Sequence, residues 1–168
     1  MPVSFLLDFG QHIPGESQDP NAAYTNKIEI DDFTFGQSAI GTTQTGTGSA
    51  SGKIRAHDFV FTKHVDRSSP TIIQTCALGN QFANPVTLTC RRTGTAGGGL
   101  TPYLVVVFTN VMFSSYQTSG SNNDSGLPAE SISLAFAKLE FRYTPQDQGV
   151  SQGVMAASYD YSQSLSGA

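Results

Sequence analysis

Three histidines are the first places to look for chemistry in this chain, and each is poorly placed for it. His12, His57 and His64 have no spacing that would gather metal ligands. His57 and Asp58 are adjacent, but adjacent residues on a strand point to opposite faces, so they make a poor catalytic relay. The carboxylates of Asp31 and Asp32 diverge for the same reason, unless a bulge re-aims one of them. Gly48-Ser49-Ala50-Ser51-Gly52 has the outline of a nucleophile elbow, yet alanine stands where the serine must be. The glycines at 46, 48 and 52 miss the spacing of a dinucleotide loop. Cys76 and Cys90 also lack metal-type spacing and read as buried free thiols. Asn123-Asp124-Ser125 is formally a glycosylation sequon, which means little without a signal peptide. An active site needs a nucleophile, a base and a stabiliser. None is assembled here, so the expectation is a protein that is not an enzyme and carries no cofactor or metal.

Composition narrows the class further. At 168 residues the chain reads as one domain, long enough to bury roughly 70% of its extended surface. Charged residues make up 13%, against about 25% in an ordinary soluble domain. A surface so poor in charge tends to associate, which points to a permanent oligomer. The net charge of −4, with no basic stripe, argues against nucleic acid as a partner. The first nine residues have no basic region, and Asp8 interrupts their apolar run, so they do not read as a cleaved secretory signal. No apolar stretch approaches the ~20 residues of a membrane span, so membrane insertion is not expected.

The elements that would have to position any site are mostly strands. Val3, Phe5, Leu7 and Phe9 alternate with polar residues or Leu6, and a turn-rich connection follows over residues 10–24. Ile28 and Ile30 point one way while Phe33 and Phe35 point the other, which suggests a bulge at Asp31-Asp32 or a strand buried on both faces. Residues 53–63 form a strand, and Asp66 shapes the turn after it. The one convincing helix follows, with Ser69 as its cap and Pro70 in its first position. Ile72, Ile73, Cys76 and Ala77 make its apolar stripe, which must cover the open side of a sheet, and Gly79 and Asn80 end it. Residues 85–91 alternate cleanly, 92–102 are a glycine-rich turn, and 103–113 read as a central strand covered on both sides. Residues 114–128 read as a polar loop. Ile132, Leu134 and Phe136 share one face while Leu139, Phe141 and Tyr143 share the other, and a weaker last strand holds Val154, Met155, Tyr159 and Tyr161. The fold class is therefore mainly β: a compact antiparallel β-barrel or sandwich with one short α-helix packed against it.

Order and spacing carry one resemblance over nearly the whole chain. Asp58-Phe59-Val60-Phe61-Thr62-Lys63, Val65-Asp66, Ser69-Pro70 and Cys76-Ala77 with Gly79 resemble the central signature of the Hcp family. Ile13-Pro14-Gly15-Glu16-Ser17 and the segments 111–120 and 130–143 match in the same order. The resemblance implies a subunit of the type VI secretion inner tube. In such a tube, hexameric rings stack, are driven out by a sheath, and carry effector proteins in the lumen. It implies partners in the sheath, baseplate and spike, assembly in the cytoplasm, and secretion without a cleaved signal peptide. It places Thr34, in Phe33-Thr34-Phe35-Gly36, on a strand facing the ring lumen. It makes the Gly-, Ser- and Thr-rich residues 37–52, with Gly41, Thr42, Gly46, Gly48 and Gly52, a loop reaching towards a neighbouring ring. Pro14, Gly15, Glu16, Ser17, Asp58, Thr62, Lys63, Asp66, Ser69 and Pro70 become structural motif residues, with Asp58, Asp66 and Glu130 in capping, turn or ion-pair roles. A phage-type tail-tube protein shares this pattern, and a secreted β-sandwich binding module is the reading from another class.

Overall fold

Alternation of apolar and polar side chains builds two antiparallel sheets whose inner faces meet. The computed structural model describes residues 3–39, 54–93, 99–122, 126–147 and 150–163. In chain order the strands are β1 (Val3–Asp8), β2 (Ile28–Ile30), β3 (Asp32–Ala39) and β4 (Ile54–His64). The helix α1 (Ser69–Leu78) comes next. It is followed by β5 (Val86–Thr93), β6 (Leu100–Thr109), β7 (Met112–Ser119), β8 (Ala129–Ala135) and β9 (Lys138–Tyr143). A small hairpin, β10 (Gln146–Asp147) and β11 (Val150–Ser151), precedes the edge strand β12 (Met155–Asp160). Six strands form one sheet in the order β12-β9-β6-β5-β1-β2, and four form the other in the order β3-β4-β8-β7. Among the described residues the two sheets stack as a sandwich and do not close into a barrel.

The chain passes between the sheets at three sharp corners, and these explain the changes of phase in the sequence. Asp31 separates β2 from β3, so Ile28 and Ile30 bury in one sheet while Phe33 and Phe35 turn inward from the other. The change of phase marks a corner, and the irregularity in β3 lies further on, between Thr34 and Gly36. Residues 103–113 are likewise two strands, separated at Asn110, whose φ of +54° only a few residue types adopt readily. β6 is not buried on both faces: Val106 and Phe108 are buried, whereas Val105 and Val107 are half-buried. The first part of the expected polar loop after it, residues 114–119, belongs to β7, which runs to Ser119. At the third corner, Phe136 and Ala137 lie between β8 and β9.

Phenylalanines dominate the space between the sheets. Phe59, Phe61 and Phe108 are fully buried, with the Phe59 and Phe108 rings 4.7 Å apart. Each such side chain contributes about 1.5–3 kcal/mol through burial alone. The helix covers the sandwich at β7, as expected, but with a narrower stripe. Ile72 is buried and Cys76 is partly buried against the core. Ile73 is 47% exposed, Ala77 is exposed and Cys76 is not fully enclosed, because a ten-residue helix at the mouth of a sandwich presents only one side to it. Ser68, not Ser69, occupies the cap position, and neither serine caps with its side chain. Gly79 closes the helix in the left-handed conformation.

The connection from Gly10 to Asn26 folds back against β2. Ile13 enters the core, and the amide of Gly15 donates to the Asn26 carbonyl at 2.8 Å. A Cβ on Gly15 would lie 2.2 Å from the Lys27 carbonyl oxygen, so only glycine allows the two backbones to approach this closely. Gly15→Ala is therefore expected to destabilise the fold by about 1–3 kcal/mol through overpacking. Urea denaturation checks this, and an unchanged midpoint would show that the backbone yields without cost.

Candidate functional site: a buried ion cluster and a hydroxyl wall

Phe59, Phe61 and Lys63 alternate towards the core, so β4 carries a lysine where an apolar residue belongs. Lys63 has no exposed surface. Its Nζ lies 2.6 Å from Glu130 Oε2, 2.8 Å from Asp66 Oδ1, 3.0 Å from Ser69 Oγ and 3.2 Å from the His64 carbonyl. The ammonium thus meets four acceptors with three protons. Glu130 reaches it because β8 pairs with β4 in a register that sets the two residues directly opposite. Asp66 and Ser69 reach it from the turn into α1. Ser69 Oγ also donates to Glu130 Oε2 at 3.0 Å and accepts from the Asp66 amide at 3.0 Å, which uses the full capacity of a hydroxyl. The other Glu130 oxygen accepts from the phenol of Tyr116 on β7. Burial, then the bond to Glu130, raises the Tyr116 pKa above its usual value. Stability held by the neutral phenol is full below about pH 10 and is lost as pH rises through that raised value.

Asp66 organises the helix start in place of a capping serine. Its Oδ1 accepts from the Ser68 amide at 2.9 Å and from the Ser68 hydroxyl, and its carbonyl accepts from the Ser69 amide at 3.1 Å. Pro70 fills the first turn. Glu16 Oε1 accepts from the Arg67 amide at 2.8 Å, which ties the N-terminal motif to the same turn. Ser17 is buried, with its amide on the Lys27 carbonyl, and Pro14 is half-buried beside it. A second clamp holds this connection: Arg91 Nη1 lies 2.7 Å from Asp19 Oδ2 and its guanidinium stacks 4.1 Å from the Tyr24 ring. The Asn21 amide and Arg91 together hold the Asp19 carboxyl below its usual pKa.

Asp58 and Thr62 take no part in the cluster. Asp58 is exposed and accepts from Ser114 Oγ at 2.7 Å, while Thr62 faces outward from β4. With Thr34 they open onto a different feature. Pairing sets Thr34 beside Val60, Ser133 and Ser115 in one row, and Asp32 beside Thr62, Ser131 and Gln117 in the next. The outer face of the four-stranded sheet is thus a wall of short, mostly uncharged polar side chains. Phe33 and Phe35 turn the other way, into the core. Gly41, Thr42, Gly46, Gly48 and Gly52 lie outside the described residues. Among the described residues no group of His, Cys, Asp and Glu is arranged to hold a metal ion. His57 and Asp58 take separate partners, and the His64–Asp31 pair at 2.9 Å is exposed.

Sequence reasoning placed Lys63, Asp66, Ser69 and Glu130 among structural motifs without pairing them, and it passed over Tyr116 and Arg91. The signal was present: a lysine in phase with Phe59 and Phe61, and a glutamate in phase with Ile132 and Leu134. Removing the cation alone should be costly, since Glu130 would stay buried and unpaired. Lys63→Met is expected to lower stability by about 3–5 kcal/mol, with part recovered in Lys63→Met/Glu130→Leu. Urea midpoints of the three proteins test this, and an unchanged single variant would show that the cluster holds nothing together.

Comparison with known proteins accounts for this architecture. Protein hcp1 of Pseudomonas aeruginosa is 34% identical over 86 residues, and the chain spans 51% of that relative's length. A solved structure of a type six secretion system protein superposes with a TM-score of 0.86 at 25% identity, covering 98% of this chain and 99% of that one. Hcp1 from Salmonella typhimurium superposes with a TM-score of 0.74 at 25% identity, covering 97% of each chain. Residues 6–143 match the family described as type VI secretion system effector, Hcp. The chain belongs to the Hcp family, whose members are secreted structural tube proteins of type VI secretion and not enzymes.

Proposed function

We propose that this protein is a subunit of a type VI secretion inner tube, with residues 1–168 acting as one tube-subunit domain. Six copies close into a ring, rings stack, and the outer face of the four-stranded sheet lines the lumen. The observation that carries this reading is the hydroxyl wall. Short side chains such as Thr34, Thr62, Ser131 and Ser133, with only the short carboxylates Asp32 and Asp58 among them in these rows, leave a smooth surface over which a folded passenger can slide. Effector proteins are the passengers. Sheath, baseplate and spike proteins are the partners. Assembly takes place in the cytoplasm, and the ring leaves the cell in the contraction event without cleavage of a signal. Asp58, Thr62, Lys63, Asp66, Ser69 and Pro70 serve the subunit's shape, as do Pro14, Gly15, Glu16 and Ser17.

Sedimentation at low micromolar concentration should give one species of six-subunit mass, and a lone monomer would sink the reading. Thr34→Gln lengthens the side chain at an exposed position and is expected to leave ring mass unchanged while reducing retention of co-expressed cargo. Rings that fall apart would put Thr34 at a subunit contact instead.

The loop with Gly41, Thr42, Gly46, Gly48 and Gly52 has almost no apolar side chain with which to join a core. Shortening it changes the loop-closure free energy by under about 1 kcal/mol. Deleting residues 42–51 and rejoining the ends with a Gly-Ser turn should preserve folding and ring mass but abolish ring stacking, as seen by filament imaging. Normal filaments would make the loop a passive connection.

A further inference from the structure

Burial runs out along the inner face of the six-stranded sheet. One row across its strands reads Cys90, Leu104, Tyr143, Met155, and their exposure climbs from none at Cys90 to 41% at Tyr143 and 67% at Met155. The next row reads Leu88, Val106, Phe141, Ala157, with the first two buried and Phe141 37% exposed. These side chains point to the core side of the sheet, but among the described residues the four-stranded sheet ends at β3 and does not reach over them. What remains is a trough of about 380 Å³ between β3 and the β9–β12 edge, walled by Phe35, Leu139, Phe141, Ala157 and Tyr159, with no charged residue in its lining.

The opposite edge of the four-stranded sheet carries the counterpart. β7 is that edge, and α1 packs on it. None of the ten residues of α1 is charged. Its outward side leaves Ile73 47% and Leu78 64% exposed, and Met112 at the start of β7 is 39% exposed. Val3, Leu127 and Val154 aside, every large apolar side chain exposed among the described residues belongs to the β9–β12 edge or to this helix edge.

We infer that the two features are halves of one contact: the α1 face of one subunit seats in the trough of the next copy of the chain. The inference rests on the ring reading above and names the surfaces that close it. A charged partner would strand its charges against either surface, whereas the two neutral surfaces satisfy one another. One feature is convex and one concave, and they lie at opposite edges. Contact between them is therefore head-to-tail, which closes into a ring or runs on as a filament, and a two-fold dimer would leave one half of each pair uncovered.

The test uses four variants of the full chain: Ile73→Asp and Leu78→Asp on the helix edge, Phe141→Asp and Met155→Asp on the trough edge. All four positions are open to solvent in the isolated subunit, so melting temperatures should stay near the wild-type value, and the two most exposed, Leu78 and Met155, serve if the others fold poorly. Each variant alone is expected to sediment as a monomer. An equimolar mixture of a helix-edge and a trough-edge variant should regain a two-subunit species, since one intact helix face then meets one intact trough. Two variants of the same edge should not. Wild-type rings that survive all four changes would overturn the assignment while leaving the ring reading in place, and so would mixtures that stay monomeric. A wild-type protein that is itself monomeric would overturn both.

Discussion

A lysine ammonium with no exposed surface is tolerable in this fold only because oxygens from three elements converge on it. Taking the charge out of water costs several kcal/mol, which its partners must offset. Those partners come from β8, from the turn before α1 and from β4 itself, with Tyr116 of β7 behind Glu130. The cluster therefore fixes several things together. A one-residue slip of β4 against β8 would carry Lys63 to the outer face and bury its neighbours, so the register has a single acceptable value. The helix is seated by the same oxygens, because Ser69 and Asp66 bond to the lysine and shape the first turn.

Charge is scarce in this chain, and part of it is turned to holding the fold together. Lys63, Glu130, Asp66, Arg91 and Asp19 are all engaged in clamps that hold segments against the sheets. Outside, one sheet carries a hydroxyl-rich wall, and apolar side chains are exposed at the two edges beside it. A protein built to stay apart from its copies distributes charge the other way. The arrangement suits a subunit whose sides are covered by its own kind.

Much of the fold was legible in the sequence. Strand alternation is the strongest local signal a β protein carries, and it located most of the strands. The clear failures share one cause. At Asp31, at Asn110 and at Phe136-Ala137 the chain leaves one sheet for the other, and a single sequence reads such a corner as a bulge or as a doubly buried strand. The helix erred differently: Ile72 and Ile73 have the same chemistry, and only the position of α1 at the sandwich mouth decides which of them faces water. The cluster was half legible, since a lysine in core phase demands a partner but does not say which carboxylate answers. The trough was not legible at all. Phe141 and Met155 read only as members of strands, and their exposure follows from how far the opposing sheet extends.

The three corners have a mechanical consequence. Sandwiches whose sheets meet only through side chains can part when one sheet is pulled, because dispersion contacts fail one row at a time. Here β2 runs into β3, β6 into β7 and β8 into β9, so the sheets are stitched by three short covalent crossings, with a fourth from β4 to β5 through α1. A load placed on one sheet is transmitted through peptide bonds to the other, and sliding of one layer over the other would have to break the ladders beside every corner together. Such a subunit is stiff in shear without disulfides, and its two cysteines remain free.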